Sequence, residues 1–233
     1  MSLAVETGTV GHLFASQRRR VAIAVAVLCG LLAVLAVLSL GSGAVAIPPG
    51  RVLAVLRAWI SGDTAALAGR DGLIIVSIRI PRLIVGAMIG AALAVSGALM
   101  QGLFRNPLAD PGLVGVSSGA ALAAAATIVL GDRIFGTVSA QLPFILLPFG
   151  AFVGGLASTL ILYAIATRQG RTSVAIMLLA GVALGAFTGA LTGLLSFISD
   201  DRQLRDLTFW SMGSLASAQW PGVAMIGVIL LAS

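Results

Sequence analysis

Between Val21 and Leu40 stand twenty residues without a charge, and similar charge-free runs recur at 83–104, 114–130, 142–166 and 174–198. Twenty helical residues extend roughly 30 Å, the thickness of a bilayer's hydrocarbon core. Runs of this length and number leave lipid as the main solvent. Composition agrees: 59% of residues are hydrophobic and 9% charged, whereas soluble domains carry about 25% charged residues. So few charges do not cover a water-facing surface. The fold class expected is all-α, a polytopic transmembrane helical protein.

The runs divide the chain. Residues 1–20 form a short polar leader that ends in Arg18, Arg19 and Arg20, and 21–233 form the transmembrane domain. Ala44-Val45-Ala46 resembles a signal-peptide cleavage site, but the preceding run is longer than a signal's apolar region of about 7–15 residues. Ile47-Pro48-Pro49-Gly50 ends the first helix. Residues 51–80 are less apolar and read as an extramembrane segment, with an amphipathic helix near Val52–Ile60. A second span covers Leu83–Leu103 and is broken by a turn with two prolines, Phe104–Gly112. A shorter span covers Val114–Leu130, and Gly131-Asp132-Arg133 turns the chain. Leu142–Ala166 and Val174–Ile198 are the fourth and fifth spans. A polar stretch, Ser199–Trp220, holds a short helix at Gln203–Met212. The apolar run from Val223 stops at Ser233, too short to cross, so further spans are expected beyond it.

All 14 basic residues are arginine, giving a net charge of +6. They lie between apolar runs and form no patch, which argues against nucleic acid as a partner. With the N-terminus inside, six arginines (Arg18, Arg19, Arg20, Arg105, Arg168 and Arg171) face inward and eight face outward. That count opposes the positive-inside rule, while the triplet beside the first helix favours it.

Glycines carry the packing signal. Gly181, Gly185, Gly189 and Gly193 recur on one face of the fifth span, and Gly86/Gly90 and Gly150/Gly154 repeat the spacing. Small residues at this interval let helix backbones approach. The α-helical face they form is either a packing seam or a wall of a pathway. No ionisable residue interrupts 83–104, 114–130 or 174–199, which argues against proton- or sodium-coupled transport. Gly115-Val116-Ser117-Ser118-Gly119 matches a hydrolase nucleophile pattern, but that pattern requires a strand-turn-helix context and a base. The sole histidine, His12, lies in the leader. With Cys29 alone and no histidine in the membrane, a fixed metal or haem site is not expected, and no bound cofactor is called for.

Specific motifs begin at Arg79-Ile80-Pro81-Arg82-Leu83. They continue through Gly90–Gly102, Phe104-Arg105-Asn106-Pro107-Leu108-Ala109-Asp110-Pro111-Gly112 and Ser117-Ser118-Gly119. Leu178–Gly185 and Asp201-Arg202-Gln203-Leu204-Arg205 with Phe209–Leu215 follow in order. The chain from about residue 20 onward resembles the FecCD-type permeases of ABC importers for iron-siderophores, haem and cobalamin.

The resemblance implies a subunit of ten helices, of which this chain supplies one to five and the start of six. It implies a homodimer in the bacterial inner membrane, a cytoplasmic ABC ATPase pair that uses ATP, and a periplasmic substrate-binding protein. Arg79 and Arg82 match positions that dock the binding protein, which places them outside and the N-terminus in the cytoplasm. Asn106, Leu108, Thr172, Ser173 and Leu179 match cytoplasmic gate regions, with Thr172 and Ser173 at a slightly different spacing from the cobalamin permease. Gln203–Leu215 matches a short outer helix. The loop that faces the ATPase follows the sixth helix in the family and lies past residue 233. Gly170–Ser173 and Asp206–Trp210 are most similar to haem permeases; a ferric siderophore or cobalamin is the alternative cargo, and an ion-coupled secondary transporter the alternative of another class.

Overall fold

The computed structural model describes residues 3–136 and 143–232, with side chains from residue 17 onward except at 113, 114, 132, 135, 143, 144 and 232. The His12 side chain and the expected start of the fourth span at Leu142 therefore lie outside what is described. Four helical segments are long and apolar enough to cross a membrane: Gln17–Gly41, Arg70–Phe104, Ile145–Ala166 and Val174–Ile198. Val116–Gly131 and Trp220–Leu231 are shorter apolar helices. The chain divides into two compact units, Met1–Met88 with Ala216–Ser233, and Ile89–Leu215.

In the first unit, helix α1 runs Leu3–Gly41. It begins inside the expected polar leader, because no proline interrupts residues 3–20. Its side chains from Gln17 to Leu35 are exposed within the chain, as befits a helix that is apolar all round and solvated by lipid. Helix α2, Pro49–Ser61, opens on a proline at its first position and closes on Gly62 at φ 73°. Both are residue types suited to those places, since Pro needs no N–H there and Gly adopts the left-handed conformation freely. Val52 and Val55 of α2 pack with Leu40, Ile47, Ile75 and Ile80 in one buried cluster.

Two single turns follow, α3 (Thr64–Leu67) and α4 (Arg70–Leu73). Asp63 caps α3 by accepting from the Ala66 N–H at 3.1 Å. From Arg70 the chain stays helical to Phe104, first as a π-helical segment, Ile74–Arg79, then as α5, Ile80–Phe104. The span expected to start at Leu83 is therefore the later part of a longer helix that starts at Arg70. The apolar run Leu73–Val76 contributes Ile75 to the buried cluster and so continues the helix instead of leaving it. The unit also contains the last helix, α10 (Trp220–Ala232).

In the second unit a 3₁₀ turn, Pro111–Val114, leads into α6, Val116–Phe135. The turn expected at 131–133 is instead helical. Helix α7 is Pro143–Ala166, and α8 is Val174–Ile198, the span expected from the sequence. Helix α9, Asp201–Met212, starts at a capping box: Asp200 accepts from the Gln203 N–H at 2.8 Å, and Gln203 accepts from the Asp200 N–H at 3.2 Å. Leu207 of α9 packs on Ala125 and Val129 of α6.

The closest helix pair is α6 with α7. A Cβ on Gly119 would meet the Gly154 carbonyl at 2.6 Å and overlap Ser158. A Cβ on Gly154 would overlap Ala123, and one on Gly150 would strike the Thr127 hydroxyl at 2.5 Å. Residues 119, 123 and 127 thus face 158, 154 and 150, an antiparallel seam of small residues at four-residue spacing. In lipid, close van der Waals approach replaces the hydrophobic drive that packs helices in water.

Gly154→Val should lower stability by about 2–3 kcal/mol, because overpacking a tight contact forces backbone apart. Thermal unfolding in detergent measures it, with Gly97→Ala as the control, since nothing lies within 4 Å of that position. A Gly154→Val protein that melts with the wild type would remove the seam from the account.

Candidate functional site

Three groups of residues carry the functional expectation, and the structure places each differently. Arg79 ends the π-helical segment. Its guanidinium donates to the carbonyls of Leu40 and Val45, at the end of α1 and in the loop beyond it. The last carbonyls of a helix have no intrahelical donor, and a cation there also meets the negative end of the helix dipole. Bonds from a charged donor contribute about 1.5–3 kcal/mol each. Gly43, at φ 147°, lets the loop pass close by: a Cβ there would lie 3.0 Å from Nη2 of Arg79.

Arg82, one turn on, is half-buried. One Nη donates to the Ala216 carbonyl at 2.7 Å. Its Nε is buried and has no hydrogen-bond partner among the described residues. Beside it opens a hollow of about 400 Å³, lined by Ser77, Ile78, Ala216, Ala218, Gln219, Trp220 and Pro221 as well as Arg82. Trp220 forms one rim. Its indole N–H donates to the Val76 carbonyl at 3.1 Å, and its ring lies 5.9 Å from that of Trp59. The acceptor sits in the π-helical segment, where the wider i→i+5 pattern loosens the ladder. The sequence reading placed Trp220 only at the end of a polar stretch and did not single out Trp59. The signal for them was an aromatic residue at each edge of a span.

The second group lies at the other end of α5. Met100 and Phe104 pack against Leu162, Ala166 and Met177, so the ends of α5 and α7 and the start of α8 converge. The turn after α5 is held locally. Arg105 takes φ 49°, Asn106 Oδ1 accepts from the Leu108 N–H at 2.9 Å, and Asp110 accepts from the Gly112 N–H at 2.6 Å. Leu108 is 85% exposed and Leu179 is 76% exposed. Thr172 and Ser173 belong to a hairpin that sequence reasoning missed. Thr167–Arg168 pairs antiparallel with Arg171–Thr172, across Gln169 and Gly170 at φ 51° and 74°. Two positive φ values define the tight turn that suits paired strands. The near-palindrome Thr-Arg-Gln-Gly-Arg-Thr was its signal. Thr167 and Thr172 hydroxyls meet at 2.9 Å, and Ser173 caps α8. A two-residue ladder leaves the all-α class unchanged.

The third group is the α8 stripe. Gly181 is buried, and a Cβ on Gly185 would reach Ser118 Oγ at 3.9 Å. Gly189 and Gly193 have nothing within 4 Å of an added Cβ. Only half of the stripe therefore serves packing within the chain. The hydrolase-like motif resolves into architecture. The Gly115 carbonyl accepts from Ser118 Oγ at 3.1 Å, from buried Ser158 Oγ at 2.7 Å and from the Gly119 N–H at 3.0 Å. Gly115 and Gly119 are needed for close approach.

These features define an integral membrane protein built of several spans. The sequence model of the FecCD transport family matches residues 31–233, and the chain belongs to that family. It is 46% identical over 163 residues to the hemin transport system permease protein HmuU of Yersinia pestis, covering 66% of this chain and 45% of that one. It is 42% identical over 161 residues to the cobalamin import system permease BtuC of Halobacterium salinarum, covering 69% and 41%. The vitamin B12 import permease BtuC of Escherichia coli is 41% identical over 188 residues, covering 77% and 55%. The chain thus spans about half the length of these relatives. A solved chain described as an inward-facing conformation of a transporter assigned to the metal-chelate ABC type superposes with a TM-score of 0.64 at 28% identity. It covers 88% of this chain and 56% of its own length.

Asn106→Ala removes the acceptor of the Leu108 N–H, a bond of about 1 kcal/mol. Hydrogen exchange should quicken at the Leu108 and Ala109 amides and stay slow through α5. Unchanged exchange in the turn would show that Asn106 does not hold it.

Proposed function

We propose that this chain forms part of the permease subunit of a binding-protein-dependent ABC importer in the bacterial inner membrane, with haem as cargo. The observation that carries the reading is the convergence on one apolar cluster of the end of α5, which leads into the Asn106 turn, the end of α7, which leads into the Thr172 hairpin, and the start of α8. Non-helical backbone at the edge of a membrane is tolerated where protein or a water-filled cavity satisfies it. Such a constriction, with Leu108 and Leu179 unpacked beside it, suits a gate that opens and closes.

Energy comes from outside the spans. No ionisable group interrupts 83–104, 114–130 or 174–199, so these helices hold no site for a coupling ion. The reading therefore assigns the work to a cytoplasmic ATPase pair that uses ATP, with the Asn106 end inward, and with it the N-terminus. A periplasmic binding protein delivers cargo to the Arg82 end. Two copies of the permease enclose the pathway, and Gly181, Gly185, Gly189 and Gly193 of α8 form a face of it. The permease performs no covalent chemistry and retains no cofactor. The hemin permease relative supports haem. Cobalamin is the second reading, favoured by relatives of nearly equal identity, and a ferric siderophore the third.

Reconstitution separates them. Full-length permease, its ATPase and its binding protein in proteoliposomes should import hemin only with ATP, and ferric siderophore or cobalamin much more slowly. Cobalamin or siderophore uptake without hemin uptake would discard haem and keep the importer. Uptake that continues without ATP and collapses with an ionophore would overturn the importer itself.

A further inference from the structure

A proline inside a helix lacks an N–H, so one carbonyl before it is left without a backbone donor. Which carbonyl that is depends on the register. Pro81 stands just after the π-helical segment Ile74–Arg79 and is fully buried. In an i→i+4 register the carbonyl that loses its donor is that of Ser77; in an i→i+5 register it is that of Val76. The structure holds the second arrangement. The Ile80 N–H donates to the Ile75 carbonyl, so Val76 receives neither Ile80 nor Pro81. Its carbonyl accepts instead from the indole N–H of Trp220 at 3.1 Å, a residue 144 positions further along the chain.

The other register has its partner in place. Ser77 and Arg82 line the same hollow of about 400 Å³. The Nε of Arg82 is buried and has no hydrogen-bond partner among the described residues. A buried donor without an acceptor is costly. Helical side chains lean back over the preceding turn, which brings Arg82 toward Ile78 and Ser77. The Ser77 carbonyl is the acceptor that a change of register would free. Trp220 is 37% exposed and borders the hollow, so its indole has room to leave Val76.

We propose that Ile74–Pro81 is a two-register hinge within the helix Arg70–Phe104, and that Trp220 is the latch that selects the π register. With the indole on Val76, the segment is π-helical and the Nε of Arg82 is unpaired. With the indole withdrawn into the hollow, Ile80 donates to Val76, the segment becomes α-helical, and Arg82 Nε serves the Ser77 carbonyl. Neither state leaves bare the carbonyl that Pro81 orphans, which lipid would not satisfy. The exchange turns the residues after Pro81 relative to Arg70–Leu73 by about 100° and shifts them by about 1.5 Å, one residue's step along a helix. The hinge stands apart from the importer reading, because no cargo or partner enters it.

The test uses the full-length protein in nanodiscs. Trp220→Phe keeps an aromatic ring and removes the N–H. Pro81→Ala restores the missing backbone N–H, so Val76 no longer needs the indole in either register. Because Pro81 is buried, its replacement also costs packing, and the melting curves are compared as a double-mutant cycle. Trp220→Phe should lower Tm clearly in the wild-type background and much less in the Pro81→Ala background. An equal loss in both would overturn the latch, because Trp220 would then act by packing alone. The register is read from the distance between spin labels at Ala54→Cys of α2 and Ala87→Cys of α5, both exposed positions, with the free Cys29 replaced by serine. The protein with Trp220 should give one distance. Trp220→Phe should add a second population, and Arg82→Met, which lacks the Nε, should shrink it. A single unchanged distance in Trp220→Phe would overturn the hinge, and a second population indifferent to Arg82→Met would overturn the part given to Arg82.

Discussion

Lipid offers no hydrogen bonds, and every departure from helix in this chain has to find them within the protein. The π-helical segment is held by Trp220 at Val76. The end of α1 is held by Arg79, and by Ser42, whose hydroxyl donates to the Leu38 carbonyl at 2.8 Å. Ser158 crosses from α7 to the Gly115 carbonyl just where the 3₁₀ turn hands over to α6. Hydroxyls inside the spans bond back to their own helices: Thr127 to Ala123, Thr188 to Leu184, Thr192 to Thr188, Ser196 to Thr192. Such bonds hide the polar group and spare the helix a partner. The positions of arginine, tryptophan and serine in so apolar a chain are therefore set by the backbone first.

The same constraint explains what could be read from the sequence. Charge-free runs marked the apolar part of each span, and Val174–Ile198 to the residue, because in lipid an apolar run of that length has one stable form, whereas α1, the Arg70–Phe104 helix and α6 run past their expected bounds. Val174–Ile198 begins after a serine cap and ends before an aspartate cap, and both ends were visible as residues. Boundaries failed where a local rule met a tertiary one. Arg70, Asp71 and Arg79 helped 51–80 read as an extramembrane segment with a single helix near Val52–Ile60, yet Ile75 belongs to a buried cluster and the helix of the second span begins at Arg70. Gly131-Asp132-Arg133 looked like a turn, but helix α6 outlasts it.

Glycine spacing was informative and incomplete for a definite reason. Spacing shows which residues share a face and says nothing of what faces them. The α8 stripe was the longest pattern, yet the tightest contact lies between α6 and α7, where Gly119, Ala123 and Thr127 mix residue types and so form a weaker pattern. Likewise the sequence showed two arginines of one kind. Only the carbonyls of Leu40 and Val45, 39 and 34 residues away, separate Arg79 from Arg82.

The open half of the α8 stripe bears on how a bulky cargo would pass. Gly189 and Gly193 present bare backbone, and the nearby hydroxyls of the same helix, on Thr188, Thr192 and Ser196, donate to helix carbonyls. A face of this kind has shape but few free donors. It holds a ligand by contact area, which is lost smoothly as a helix moves, and not by a few directional bonds that would have to break together. Haem, cobalamin and ferric siderophores share bulk and differ in polar detail, so such a wall discriminates poorly among them. On the proposed importer reading, selectivity would then be better placed before the pathway, in the protein that delivers the cargo. Permeases for hemin and for cobalamin stand at nearly equal identity to this chain, as expected if the proposed wall encodes little about what travels along it.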